Sequence, residues 1–114
     1  MEFDDSPRAL AKMQLKAYNA HDLEGYMQLF HPDAVLIDLP SGEVIAEGLE
    51  QIRNIYAERF SNEDLYCAVT NQMEIGDFAV DREVLTGLPG GNVEVLALYE
   101  VRQGRIKRIF FIRA

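Results

Sequence analysis

Residues 65–113 read LYCAVTNQMEIGDFAVDREVLTGLPGGNVEVLALYEVRQGRIKRIFFIR, and this stretch decides the fold. It divides into four runs rich in β-branched and aromatic residues, at 65–75, 77–87, 92–102 and 105–113. Gly76-Asp77, Leu88-Pro89-Gly90-Gly91-Asn92 and Gln103-Gly104 separate them, residue types that turn a chain. Connectors this short allow only antiparallel neighbours, because parallel strands need a long crossover. The Pro89-Gly90-Gly91 turn precedes a strand, so it is a hairpin connection and not a phosphate cradle, which would open onto a helix.

Upstream the texture changes. Ser6 followed by Pro7 marks a helix start, with Leu10, Met13 and Ala17 at helical spacing and Lys12 and Lys16 on another face. Asp22 caps a predicted second helix whose stripe is Leu23, Tyr26, Met27 and Phe30, closed by Pro32. AVLIDL (34–39) reads as a short strand entering a turn at Pro40-Ser41-Gly42. A third helix follows Gly48, with Leu49, Ile52, Tyr56 and Phe60 on one face. Three helices, one short strand between them and a long meander define an α+β chain, expected to be a single domain over residues 1–114.

Composition bounds the function. At 48% hydrophobic residues, the 114-residue chain can bury one core. The net charge of −8 argues against a nucleic-acid partner, which needs clustered cations. Arg102, Arg105, Lys107, Arg108 and Arg113 do crowd together, but on a strand pair, where a solvated edge or interface rim is expected. The lone Cys67 lies in an apolar run and reads as a small buried hydrophobe. His21 and His31 have no second ligand at metal spacing, and no motif implies a cofactor. MEFDDSPRAL does not resemble a signal peptide, and no apolar run approaches a membrane span, so no membrane association and a cytoplasmic location are expected. VLALY (95–99) has no polar residue to alternate with, so both faces of that strand need cover. A homodimer packed sheet on sheet is the predicted answer.

AYNAHDLEGYMQLFHPDAVLIDLPSGEVIAEG (17–48) and the LEQIRNIYAERF that follows resemble the N-terminal half of the nuclear transport factor 2-like families. The four closing strands match in length and turn placement. The resemblance implies a cone: a curved mixed sheet and three helices enclosing an apolar pocket, commonly dimerised through the convex face. Ketosteroid isomerases in this superfamily place an aspartate base at the end of the first strand, and Asp38 falls on that position. Their two oxyanion donors, a helix tyrosine and a strand aspartic acid, correspond to Gln14 and Ala97, with Tyr18 one turn away. SnoaL-type cyclases are similar in needing only an acid/base aspartate in an apolar cavity. Limonene-epoxide-hydrolase relatives need an Asp–Arg–Asp cluster, and the adjacent Asp81 and Arg82 would point to opposite faces of their strand.

The expected site follows from this resemblance. Asp38 shares its face with Leu36, and Tyr18, Tyr56, Phe60 and Tyr99 are the pocket candidates around it. A desolvated carboxylate there would be a stronger base for a proton next to a carbonyl. The competing role for Asp38 is to cap the Pro40-Ser41-Gly42 turn. Asp81 and Glu83 share a face. Phe78, Val80 and Val84 hold the other, which favours the acids facing outward, although Ala79 and Leu85 lie on the acidic side. Binding of a small apolar molecule, with isomerase or cyclase chemistry at Asp38, is the expected function. A non-catalytic ligand-binding or protein-interaction module is the alternative.

Overall fold

The computed structural model describes residues 4–114, which form three helices and one six-stranded sheet. Helix α1 spans Pro7–Asn19, and the Ser6 hydroxyl accepts the Ala9 amide to cap it. Its buried face is Leu10, Ala11, Gln14 and Tyr18, rotated from the predicted stripe so that Met13 and Ala17 only flank the core. The hydrophobic spacing alone missed this because Gln14 and Tyr18 carry polar atoms that the cavity accommodates.

Helix α2 is a single turn, Leu23–Met27, capped by Asp22. The predicted helix through Phe30 is cut short because β1 (Phe30–Asp38) begins there: the Leu29 carbonyl accepts the Ile106 amide at 2.8 Å, capturing the backbone for the sheet. Tyr26 and Phe30 still reach the core, each 1% exposed. A four-residue strand that the sequence did not reveal, β2 (Val44–Glu47), turns back on β1 before α3 (Gly48–Phe60). In α3, Ile52, Tyr56 and Phe60 are buried while Leu49 is exposed.

The meander follows as β3 (Tyr66–Ile75), β4 (Phe78–Thr86), β5 (Val93–Arg102) and β6 (Arg105–Arg113). The sheet order is β2-β1-β6-β5-β4-β3, all antiparallel except β1 beside β6. Register shifts in β1, β3 and β5 let the sheet curl, since a bulge bends its strand and adds local twist. In β3 the shift leaves Thr70 unpaired and inverts the alternation. Cys67 and Val69 oppose the inward Leu85 and Glu83, and beyond the bulge Gln72 opposes Asp81. Met73 and Ile75 are thereby sent to the outer face, 63% and 74% exposed.

Helix α1 lies across β3–β5, α3 covers β1 and β2, and α2 bridges the two helices. The concave face is thus closed by helices. The convex face carries the row Val80, Leu98 and Phe110 and the row Arg82, Leu96 and Ile112, whose apolar members are half-buried. Of the basic C-terminal residues, Arg102 and Arg108 grip the buried Glu100 at 3.1 and 2.6 Å, and Lys107 lies 3.9 Å from Asp33. Arg105 donates to the Gln28 carbonyl at 3.1 Å. These cations are mostly committed to the protein's own acceptors.

Candidate active site

The concave face and the helices enclose one aromatic cavity. Tyr18 comes from α1, Tyr26 from α2 and Tyr56 from α3, packed with ring centroids 4.5–6.3 Å apart. Phe60 backs them, edge-on to Tyr18 at 5.3 Å, without lining the space itself. Leu36, Leu85 and Val95 form the apolar floor, with Gln14 at one side. The space left for the centres of water-sized atoms is about 50 Å³. At 10–15 Å³ per water, that admits roughly three to five waters, or one small ring in their place.

Glu83 projects into this cavity at 5% exposure, where the Tyr99 hydroxyl donates to its carboxylate at 2.9 Å. Burial pushes the Glu83 carboxyl up to about 7; the Tyr99 hydrogen bond opposes that, and neighbouring Asp81 adds to it. A group poised there is half ionised near neutral pH and can take or give a proton. The Tyr18 hydroxyl also belongs to the cavity and is buried with no hydrogen-bond partner among the described residues. Burial pushes its phenol up to about 12, against the polar contact and then the charge of the neighbouring Arg59 guanidinium, so it stays a donor. Burial, with Glu83 and Asp81, also raises the Cys67 thiol, which keeps it protonated and a poor nucleophile.

Both acids of β4 therefore face inward, opposite to the orientation that the apolar tally favoured. Each has a local partner: Tyr99 for Glu83, and Gln72, 3.3 Å away, for Asp81. Phe78, Val80 and Val84 take the convex face instead. Apolar residues could not choose a side here because the sheet has two apolar faces. Asp81 is 1% exposed, outside the cavity lining, and one of its carboxylate oxygens has no partner among the described residues. Ala97 pairs with it, is fully buried and likewise does not line the cavity. Arg82 points outward to Glu94 at 2.6 Å.

Asp38 lies elsewhere. Its backbone pairs with Phe111, which lines the cavity, but its carboxylate accepts the Ser41 amide at 3.1 Å and the Ser41 hydroxyl at 2.5 Å. It caps the turn and is not among the lining residues. Sequence reasoning missed Tyr26, Arg59 and Arg113, which are. Tyr26 was visible only as one member of a core stripe and Arg113 as one of the basic C-terminal residues, while Arg59 was not singled out by any pattern. Among the described residues no three His, Cys, Asp or Glu side chains converge as a metal site, and no helix is long and apolar enough to cross a membrane.

Residues 11–109 match the model of the SnoaL-like domain. The chain belongs to that family. Solved structures agree on the fold of this SnoaL-like domain. An uncharacterised cystatin-fold protein of Novosphingobium aromaticivorans is 26% identical with a TM-score of 0.84, the match covering 95% of this chain and 98% of that one. A candidate ketosteroid isomerase of Kribbella flavida is 21% identical, TM-score 0.82, covering 95% and 77%. A candidate polyketide cyclase of Sinorhizobium meliloti is 23% identical, TM-score 0.78, covering 91% and 94%. Comparison with curated proteins finds no match to this SnoaL-like domain. The fold is the nuclear transport factor 2-like cone, with three helices against a curved, mostly antiparallel sheet.

Proposed function

We propose that this SnoaL-like domain binds a small carbonyl compound in its cavity and moves a proton on it without a cofactor, as an isomerase or cyclase would. The observation that carries this reading is the Glu83–Tyr99 pair on the same cavity as the unpaired Tyr18 hydroxyl. Ionised Glu83 takes the proton from the carbon next to the carbonyl, and the electron pair moves onto oxygen as an enolate. Tyr18 donates a hydrogen bond to that oxygen, a contact that strengthens as charge develops. Protonated Glu83 then returns the proton to carbon, at the same α position or, where a conjugated double bond extends the enolate, at its far end, which leaves the enzyme unchanged. The base is thus Glu83, and Asp38 holds its turn. The likeness to isomerase and cyclase folds is consistent with this chemistry but is a likeness of fold alone.

The test is exchange of the α-hydrogens of cyclohexanone for deuterium in heavy water, followed by NMR. The wild type should exceed the buffer rate, and Glu83→Gln should fall to it. Equal rates in the two proteins would remove Glu83 as the base. The small cavity favours a second reading, a non-catalytic binding module, which ketone binding without exchange in the wild type would support.

The half-buried apolar rows of the convex face also support a homodimer packed sheet on sheet. Leu98→Asp should then halve the mass measured by sedimentation. A wild type already monomeric at micromolar concentration would discard the dimer.

A further inference from the structure

The cavity wall is unusual in its charge. Among the described residues Glu83 is its only carboxylate, whereas Arg59 and Arg113 both line it. Elsewhere Arg53, Arg82, Arg102 and Arg108 each hold a carboxylate of the protein. Arg59 and Arg113 hold none among the described residues, in a chain with eight more acidic than basic side chains; Arg8 and Arg105 hold none either, but they lie outside the cavity. Arg59 also borders the groove outside the cavity, whose rim carries Glu58 and Asp64, and among the ion pairs of the described residues it joins neither. Its charge acts instead on the Tyr18 phenol inside. Arg113 lies at the exposed end of β6, its guanidinium 5.8 Å from the centre of the Phe111 ring. An aromatic pocket with two guanidinium groups that hold no carboxylate among the described residues, Arg59 beside the Tyr18 phenol and Arg113 beside Phe111, is a receptor for a flat anion.

We propose that the ligand is a small cyclic carboxylate, its ring among Tyr18, Tyr26 and Tyr56 and its carboxylate held by Arg59, with Arg113 at the edge. This rests on the cavity being the ligand site and adds the substrate class. Arg59 is the specificity-determining residue, because its planar fork meets a carboxylate with two parallel hydrogen bonds. A neutral ring of the same shape has only the apolar contacts and Tyr18.

Titration calorimetry with benzoate and benzamide, two probes alike in shape and different in charge, tests the proposal. Wild type should bind benzoate about tenfold more tightly than benzamide, or better, as expected for a charge-assisted pair. Arg59→Met should bring the ratio to about one while leaving benzamide binding in place. Arg59→Lys, which keeps the charge, should retain part of the preference and serves if the methionine variant unfolds. Equal affinities in the wild type, a ratio unchanged in Arg59→Met, or no binding of either probe would each overturn it. Failure of the proton-transfer reading is separate: it appears in the deuterium exchange of Glu83→Gln, and the benzoate-to-benzamide ratio does not depend on it.

Discussion

Tyr99 donates its hydroxyl hydrogen to Glu83 across neighbouring strands, four residues out of register, inside a cavity where both residues are buried. One hydrogen bond does not replace the hydration that a carboxylate loses there, so the folded protein holds a proton on Glu83 up to about pH 7.

Glu83 therefore makes stability fall as pH rises. The unfolded chain releases this proton near 4.5 and the folded one near 7, so between those values the folded state alone keeps it. Raising the pH through that window costs up to about 3 kcal/mol, and the cost is complete above the folded pKa. Glu83→Gln, neutral throughout, escapes the cost. Urea unfolding at pH 5 and pH 8 should show the variant gaining about 2–3 kcal/mol on the wild type over that interval. A difference that does not change with pH would contradict the buried, protonated carboxyl.

Tyr18→Phe should separate stability from function. The lost hydroxyl has no partner among the described residues, so its removal should leave the melting temperature unchanged or raise stability by about 1 kcal/mol. The same change should slow deuterium exchange on cyclohexanone by at least about tenfold, since it deletes the enolate donor. A clear loss of stability would mean that the hydroxyl is bonded in solution.

Asn19 clamps the end of α1 to β3. Its amide oxygen accepts the Cys67 N–H at 2.8 Å and its amide nitrogen donates to the Cys67 carbonyl at 3.0 Å. Asn19→Ala leaves both backbone groups unpaired in a part-buried place and should cost about 2–3 kcal/mol in urea unfolding. The Cys67 amide should lose its hydrogen-exchange protection in the variant. A cost below about 0.5 kcal/mol would show that water replaces the clamp.

Gly87 and Gly91 both have positive φ, at 81° and 97°, but differ in their neighbours. A Cβ on Gly87 would come within 1.8 Å of the Asp64 carbonyl oxygen, whereas one on Gly91 would meet nothing within 4 Å. Gly91→Ala should cost about 1–2 kcal/mol of backbone strain. Gly87→Ala adds a backbone collision and should cost at least twice as much by thermal denaturation. Equal costs would show that the Asp64 loop moves away freely.

The parts of the molecule readable from sequence are those set by local chemistry. Ser6-Pro7 opens α1, Gly76-Asp77 and Gln103-Gly104 turn the hairpins, and the β-rich runs from Leu65 onward become strands. What escaped depends on pairing. β2 has four residues, too few for a period to show. The unpaired Thr70 inverts the faces of β3 without any unusual residue to announce it. Glu83 could not be assigned to the inside because the partner that makes its burial tolerable, Tyr99, lies on another strand. Asp38 was recognisable both as a strand-end acid and as a turn cap, and Ser41 occupies its carboxylate.

The strand order has a consequence for how the molecule comes into being. β6, the last strand along the chain, lies between β5 and β1, near the middle of the sheet. During synthesis β1 and its hairpin partner β2 emerge early but have no other sheet neighbour until Ile106, Ile109 and Phe110 arrive some 70 residues later. The β3–β5 meander can assemble locally in the meantime. The two halves join only when β6 inserts between them, a closure across long sequence separation that is intrinsically slow. Until then the edges of β1 and β5 stay open to other chains. A nascent chain stalled before β6 should therefore bind chaperones and aggregate, and release of the final strand should convert it to the folded form in one step.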